Sequence, residues 1–436
     1  MKYLYKRLSE SVSKKVQFRP EIISILNNIS WLFFDKALRL GAGLFLGIFI
    51  ARYLGPEGYG LLNYAIAFSA LAGSFVSLGL DSIVIKELVR RPEDRDIILG
   101  SAFFMKLFAG VLGIFVNIAL ISIIKPGDTF ILYLVALSSF GFVFQAVGVI
   151  DLYYQSRVKS KYSVIAQNGA FLTVVVLRII LLINKAPVSA FAIAGLIESF
   201  LIAGFVIFTY KRFSNLSIST WQFDKSMAIQ LIKESYPLIF AGLASIINMR
   251  LDQVMLGSML DEKTVGIYSV AIRIAEIWYV IPMFLGISIY PSIISAKEQS
   301  YDLYRSRLHK IVFYMSCFAI PFALFISFSS DLIVNLLYGS EFLPAGNILS
   351  IYIWAGLPYV AGFAYSQAFY IEKLTNITFI TTIYTVLANL ILNYFLIPKL
   401  GPTGAATSTL IAAISTFILS IYLLKKHTKI FTFTLF

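Results

Sequence analysis

Six basic residues stand inside stretches that are otherwise apolar: Lys36, Arg39, Lys106, Arg178, Arg250 and Arg273. A cation in the hydrocarbon interior of a bilayer costs roughly 2.5–3.5 kcal/mol on insertion scales, so it faces a partner or a water-filled cavity. Five acids lie in similar surroundings: Asp35, Asp81, Glu198, Asp252 and Glu276. Two chemistries follow from these residue types. Guanidinium groups are permanently charged and donate in pairs, which suits phosphate or carboxylate. Embedded carboxylates can carry a proton, ligate sodium or lock a gate. The plainer reading is that each cation neutralises an acid nearby.

Spacing sorts the residues further. Asp35 and Arg39 are four apart and share a helix face, with Lys36 beside them. Arg250 and Asp252 are two apart and cannot share one. Arg273 and Glu276 are three apart and can. Lys106 and Arg178 fall toward span ends and are expected to snorkel. Catalytic signals are missing. His309 and His427 sit in basic stretches without metal-ligand spacing, and no phosphate-binding loop occurs. Cys317 is a lone cysteine in an apolar run. No enzyme activity, metal or cofactor is expected; coupling to H+ or Na+ stays open.

The elements that position these groups are long apolar helices. The chain of 436 residues is 58% hydrophobic and 14% charged, against about 25% charged in soluble domains. About twelve spans are expected, near 29–53, 58–85, 99–123, 130–150, 163–183, 188–210, 235–260, 264–295, 308–337, 345–371, 375–397 and 403–424. The loops alternate in charge, with 25 cations on one side and five on the other. The positive-inside rule places both termini in the cytoplasm. That loop asymmetry also accounts for the net charge of +13 without nucleic acid. Leu4, Leu8, Val12 and Val16 recur at spacing four, predicting an amphipathic surface helix within 1–28. Pro282 predicts a kink nine residues past Arg273.

The chain also repeats itself. Shifting by 206 places Leu54, Gly60, Ala65 and Ile66 on Leu260, Gly266, Ala271 and Ile272. A shift of 216 pairs Tyr154 with Tyr370 and Ala190 with Ala406. The expected organisation is a six-helix lobe over 29–210, a linker over 211–233, a second six-helix lobe over 234–424 and a tail over 425–436. Six spans per half give both halves one topology, hence a pseudo-twofold axis along the membrane normal.

The run Arg52-Tyr53-Leu54-Gly55-Pro56-Glu57-Gly58-Tyr59-Gly60, continuing into Leu61-Leu62-Asn63-Tyr64-Ala65, resembles the start of Wzx-type polysaccharide-biosynthesis flippases. These belong to the superfamily of multidrug exporters and lipid II flippases. Leu260 to Tyr268 echoes the run, and Gly401-Pro402-Thr403-Gly404-Ala405-Ala406 resembles the turn the family often shows between its last two helices. Lipid II flippases commonly carry two further C-terminal helices not found here. The resemblance implies an all-α polytopic protein of a bacterial or archaeal cytoplasmic (inner) membrane, two six-helix lobes around a central cavity, and spans one, two, seven and eight lining it. It implies an undecaprenyl-diphosphate-linked oligosaccharide as substrate, membrane lipids around it, and glycan polymerase or glycosyltransferases as partners. Arg39, Arg250, Arg273, Lys36 and Arg52 become candidates for the anionic head group, by way of its diphosphate or of acidic sugars. Asp35, Asp81, Glu198, Asp252 and Glu276 become candidates for ion coupling or gating. An ion-coupled exporter of cationic drugs on the same fold is the alternative; it would want an acidic cavity. A membrane glycosyltransferase would need a large loop with catalytic acids, and no outer loop exceeds about ten residues.

Overall fold

The computed structural model describes residues 20–428 and 430; side chains at 20–26, 277–291, 364 and 375 are outside the described set. The amphipathic pattern at Leu4–Val16, the side chains of Trp278 and Pro282, and the tail beyond 430 lie outside the described residues. Among those described, all regular structure is helical. Ten segments are long and apolar enough to cross a bilayer. One of them, Asn27–Arg90, holds two expected spans, and Glu262–Gln299 is a further helix of 38 residues, which accounts for all twelve.

α1, Pro20–Val76, covers the first two spans and breaks at Gly55, whose φ of 67° and ψ of 177° suit only glycine. Pro56 then restarts the helix, where its missing N–H is no loss. The chain continues through α2 (Asp81–Arg90), α3 (Arg95–Ile124), α4 (Thr129–Gln145), α5 (Val149–Ser156), α6 (Lys161–Ile183) and α7 (Val188–Ser214). The second half holds α8 (Lys225–Met259), α9 (Glu262–Gln299), α10 (Tyr301–Tyr338), α11 (Ala345–Tyr352), α12 (Gly356–Ile371), α13 (Thr375–Leu400) and α14 (Pro402–His427). Side chains cap several starts: Asp128, Asp224, Asp261 and Ser300 each accept the N–H three residues on. The fourth and tenth spans are each interrupted by a 3-10 turn, Ala146–Gly148 and Ile353–Ala355, 207 residues apart. The spacing is almost that of the sequence repeat.

In the first half α3 packs on α4 and α6 on α7; in the second, α13 packs on α14 and α10 on α12. α1 joins the halves by packing on both α8 and α9. Its tightest contact is reciprocal. A Cβ on Gly60 would lie 1.7 Å from the Glu262 carbonyl oxygen, and one on Gly266 would lie 1.9 Å from that of Pro56. Glu262 and Gly266 are Pro56 and Gly60 shifted by 206. Residue i against j′ and i′ against j is what a twofold relation demands. This contact closes the side opposite the termini. There Tyr64 also meets Ser258 at 3.0 Å, and Lys125 pairs with Glu262. On the basic side Lys86 pairs with Glu234 at 2.7 Å, and a Cβ on Gly79 (φ 58°) would lie 2.8 Å from the Ile239 nitrogen.

Two embedded cations are structural. Lys106 is buried and pairs with Asp81 at 2.6 Å; Arg178 pairs with Glu198 at 3.0 Å between α6 and α7. Each meets an acid on a neighbouring element. Asp81 is brought to Lys106 by the turn at 77–80, where Leu78 (φ 52°) and Gly79 take left-handed conformations.

Two outcomes follow. Gly60→Val must force α1 and α9 apart, an overpacking worth about 1–3 kcal/mol. Spin labels on the exposed Glu57 and Lys263 should then lose dipolar broadening, and an unchanged spectrum would contradict the contact. Arg178→Met and Glu198→Met should each lower thermal stability by about 1–3 kcal/mol, below the roughly 3–5 of a fully buried pair. The double variant should recover most of the loss; additive losses would rule out the pair as the cause.

Candidate functional site

α1 carries Asp35, Arg39 and Gly43 at spacing four, so the three line one face. Arg39 Nε donates to Asp35 Oδ1 at 2.9 Å, and its guanidinium carbon lies 5.3 Å from the centre of the Phe171 ring on α6. Its Nη2 is buried without a partner among the described residues. One turn further along α1, Arg273 from α9 brings its Nη2 to 3.5 Å from the place a Cβ on Gly43 would occupy. A Cβ at 43 would make ordinary van der Waals contact with that guanidinium. Two arginines, one from each half, therefore share a single α1 face, with Asp35 one turn before Arg39 and Arg273 one turn after it.

Arg273 is exposed, and no carboxylate lies within ion-pair distance of it among the described residues. Glu276, three residues on, is half-buried and does not pair with it. Arg273 is eleven residues from the start of α9, or ~16 Å along the helix, near the middle of a ~30 Å core. Arg250 lies at comparable depth on α8, half-buried, where its Nη1 donates to Gln253 Oε1 at 3.3 Å. Gln253 in turn donates to Ser269 at 2.9 Å. Lys36 is exposed on α1. Arg52 is engaged elsewhere: Nε and Nη2 donate to the carbonyls of Leu337 and Leu336 at 2.7 and 2.6 Å. These belong to the last turn of α10, whose carbonyls have no partner within their helix. Arg52 thus ties the two halves together on the closed side.

Of the embedded acids, Asp35, Asp81 and Glu198 have basic partners. Asp252 has none. It is buried on the opposite face of α8 from Arg250 and accepts three neutral donors: Tyr268 Oη at 2.5 Å, Thr409 Oγ1 at 2.6 Å and Asn393 Nδ2 at 2.7 Å. Asn389 joins this network at 2.6 Å from Asn393 and 3.1 Å from Thr409. Asn393 Oδ1 is buried without a partner. Amide orientation is interchangeable by a half-turn of the side chain. That turn would aim Asn393 Oδ1 at Asp252 and convert the donor set into an all-oxygen site suited to a small hard cation. The sequence reading named Asp252 but not its companions. Their signal was present: two asparagines four apart in an apolar helix, and a threonine in the next.

The matched relatives agree with this architecture. A family model described as polysaccharide biosynthesis protein matches residues 49–347. A Shigella flexneri protein named as a candidate O-antigen transporter is 25% identical over 408 residues, covering 88% of this chain and 94% of that protein. Among solved structures, the lipid II flippase MurJ in an inward closed conformation superposes with a TM-score of 0.72 at 20% identity, covering 92% of this chain and 87% of its own. An inward-facing multidrug transporter of the MATE family gives 0.73 at 15% identity, covering 92% and 98%. Such low identity establishes the fold alone. The family match covers well over half of the sequence, and the chain is an integral membrane member of the polysaccharide biosynthesis protein family.

Proposed function

We propose that this protein flips a polyprenyl-diphosphate-linked oligosaccharide across the cytoplasmic membrane by alternating access. The observation that carries the reading is the placement of Arg39 and Arg273 one helical turn apart along the α1 face at mid-depth, with no acid partner for Arg273 among the described residues. A diphosphate is the costliest part of such a substrate to take through a low-dielectric barrier. Two preorganised guanidiniums from opposite halves lower that cost with charge-assisted, bidentate bonds. Arg250 and Lys36 extend the positive field toward the sugars and the cytoplasmic entrance. A cationic drug would be repelled by the same groups, which favours the flippase reading over the exporter. The names of the family and of the Shigella relative point the same way.

In the conformation described, the outer side is closed by Gly60 against Glu262, Gly266 against Pro56, and Arg52 on the α10 carbonyls. Opening outward requires those contacts to part while the basic side closes. Head groups assembled by cytoplasmic glycosyltransferases would enter from the basic side and leave toward a polymerase outside. We assign the coupling ion to the Asp252 site. A carboxylate with no basic partner among the described residues, met by two hydroxyls and by an amide whose half-turn would present its oxygen, is set up for Na+, and its absence of charge neutralisation gives the ion a reason to bind. α8 connects this site to Arg250 on its other face.

In proteoliposomes, Arg273→Ala should cut flipping of a fluorescent polyprenyl-diphosphate sugar at least tenfold, with partial recovery in Arg273→Lys. Wild-type rates in Arg273→Ala would sink the assignment. Adding NaCl in place of KCl should raise the melting temperature of the wild type by several degrees and leave Asp252→Asn unmoved. Equal responses of the two proteins would remove sodium from Asp252.

A further inference from the structure

A cavity of about 340 Å³ opens within the first half, on the basic side of the membrane and apart from the arginine face. It is formed where two spans are interrupted: Val76 and Ser77 lead into the left-handed turn that ends α1, and Gln145 precedes and Gly148 ends the 3-10 turn between α4 and α5. Broken backbone at membrane depth persists only where it is buried or lines a wet cavity, and interrupted spans are the usual mark of a transporter's binding site. The volume falls in the range of small-molecule pockets, about 300–1000 Å³.

Its lining is polar and balanced between donors and acceptors. Gln145, Gln155 and Gln167 come from three different helices, and each amide offers both. Asp81 is held by Lys106 at 2.6 Å. Asp151 accepts only Gln155 Nε2, at 2.8 Å, and has no basic partner within 4 Å among the described residues. The two carboxylates against one ammonium leave the cavity net negative. Phosphate and uronate are therefore disfavoured. A bare cation would want oxygens converging on a point, whereas these groups are spread around a volume. A polyhydroxyl ring fits both facts, since a carboxylate accepts two adjacent hydroxyls and amides take the rest. The pair that frames the cavity has no counterpart in the second half: shifted by 206, Asp81 and Lys106 fall on Ile287 and Val312.

We infer that this cavity is a subsite for an uncharged sugar, a neutral hexose or an N-acetylated hexosamine, with Asp151, Gln155 and Gln167 as its specificity-determining side chains. The inference rests on the reading that the substrate carries sugars, and it assigns them a place separate from the diphosphate. The test is saturation-transfer NMR on the full chain in lipid nanodiscs, with methyl glucoside, methyl N-acetylglucosaminide and glucuronate as probes. At least one neutral glycoside should take up saturation at least fivefold more strongly than glucuronate. Asp151→Asn combined with Gln155→Ala should cut the neutral signal at least fivefold. Gln167→Ala, which leaves the Asp81–Lys106 pair untouched, should cut it at least twofold at an unchanged melting temperature. Lys263→Ala, at the exposed start of α9, should stay within twofold of wild type. No saturation of either neutral glycoside, equal saturation of glucuronate, or an unchanged signal in a folded Gln167→Ala protein would overturn the proposal. The readout needs no transport, so a protein that binds these glycosides here but flips no lipid-linked sugar would refute the flippase reading and leave the subsite standing.

Discussion

Two carbonyl oxygens, of Pro56 and Glu262, occupy the space where side chains of Gly266 and Gly60 would be. That mutual approach brings backbone against backbone between two halves of one chain. It explains why the motif after the first span is so rich in glycine. Gly55 turns the chain with a φ that side chains resist, and Gly60 lets the returning helix meet its pseudo-symmetric partner. α1 is thereby held along α9, and the arginine of α9 falls beside Gly43 on the α1 face that already carries Arg39. The site depends on the contact, since loosening it would separate the two guanidiniums.

The embedded charges divide by what they touch. Lys106 and Arg178 meet acids within the first half and hold its helices together. Arg52 spends its donors on the end of α10. Arg39 is half committed, with one edge on Asp35 and one nitrogen left over. Arg273 and Lys36 remain without acid partners among the described residues. A membrane protein tolerates an unpaired cation where water or an anion reaches it. Asp252 is the mirror case, a carboxylate without a cation, kept by neutral donors in the second half.

Much of this architecture is legible in the sequence because the bilayer imposes simple rules. Apolar length gives the spans, loop charge gives their alternation, and the repeat at 206 foretells which glycines face each other. The break at Gly55 is readable from Gly-Pro. What sequence does not reveal is partnership. The acid that Lys106 meets depends on the turn at 77–80, which swings Asp81 toward it. Arg52 lies near the closed rim as its position suggests, but its carbonyl partners 285 and 284 residues away carry no side-chain signal. Asn389 and Asn393, four apart in an apolar helix, mark a polar face in the sequence, but that this face and Thr409 meet Asp252 is decided by how three helices converge. The sugar-sized cavity depends on two helix interruptions, and a 3-10 turn of Ala-Val-Gly has no distinctive composition.

The claim at the centre is that Arg273, together with Arg39, receives the anionic head group. Native mass spectrometry of the purified chain with polyprenyl diphosphate measures this directly, without transport or an ion gradient. Arg273→Ala should weaken binding at least tenfold, while Arg178→Met, which removes a paired arginine elsewhere, should leave it within twofold. Equal affinity of wild type and Arg273→Ala, or an equal loss in both variants, would contradict it.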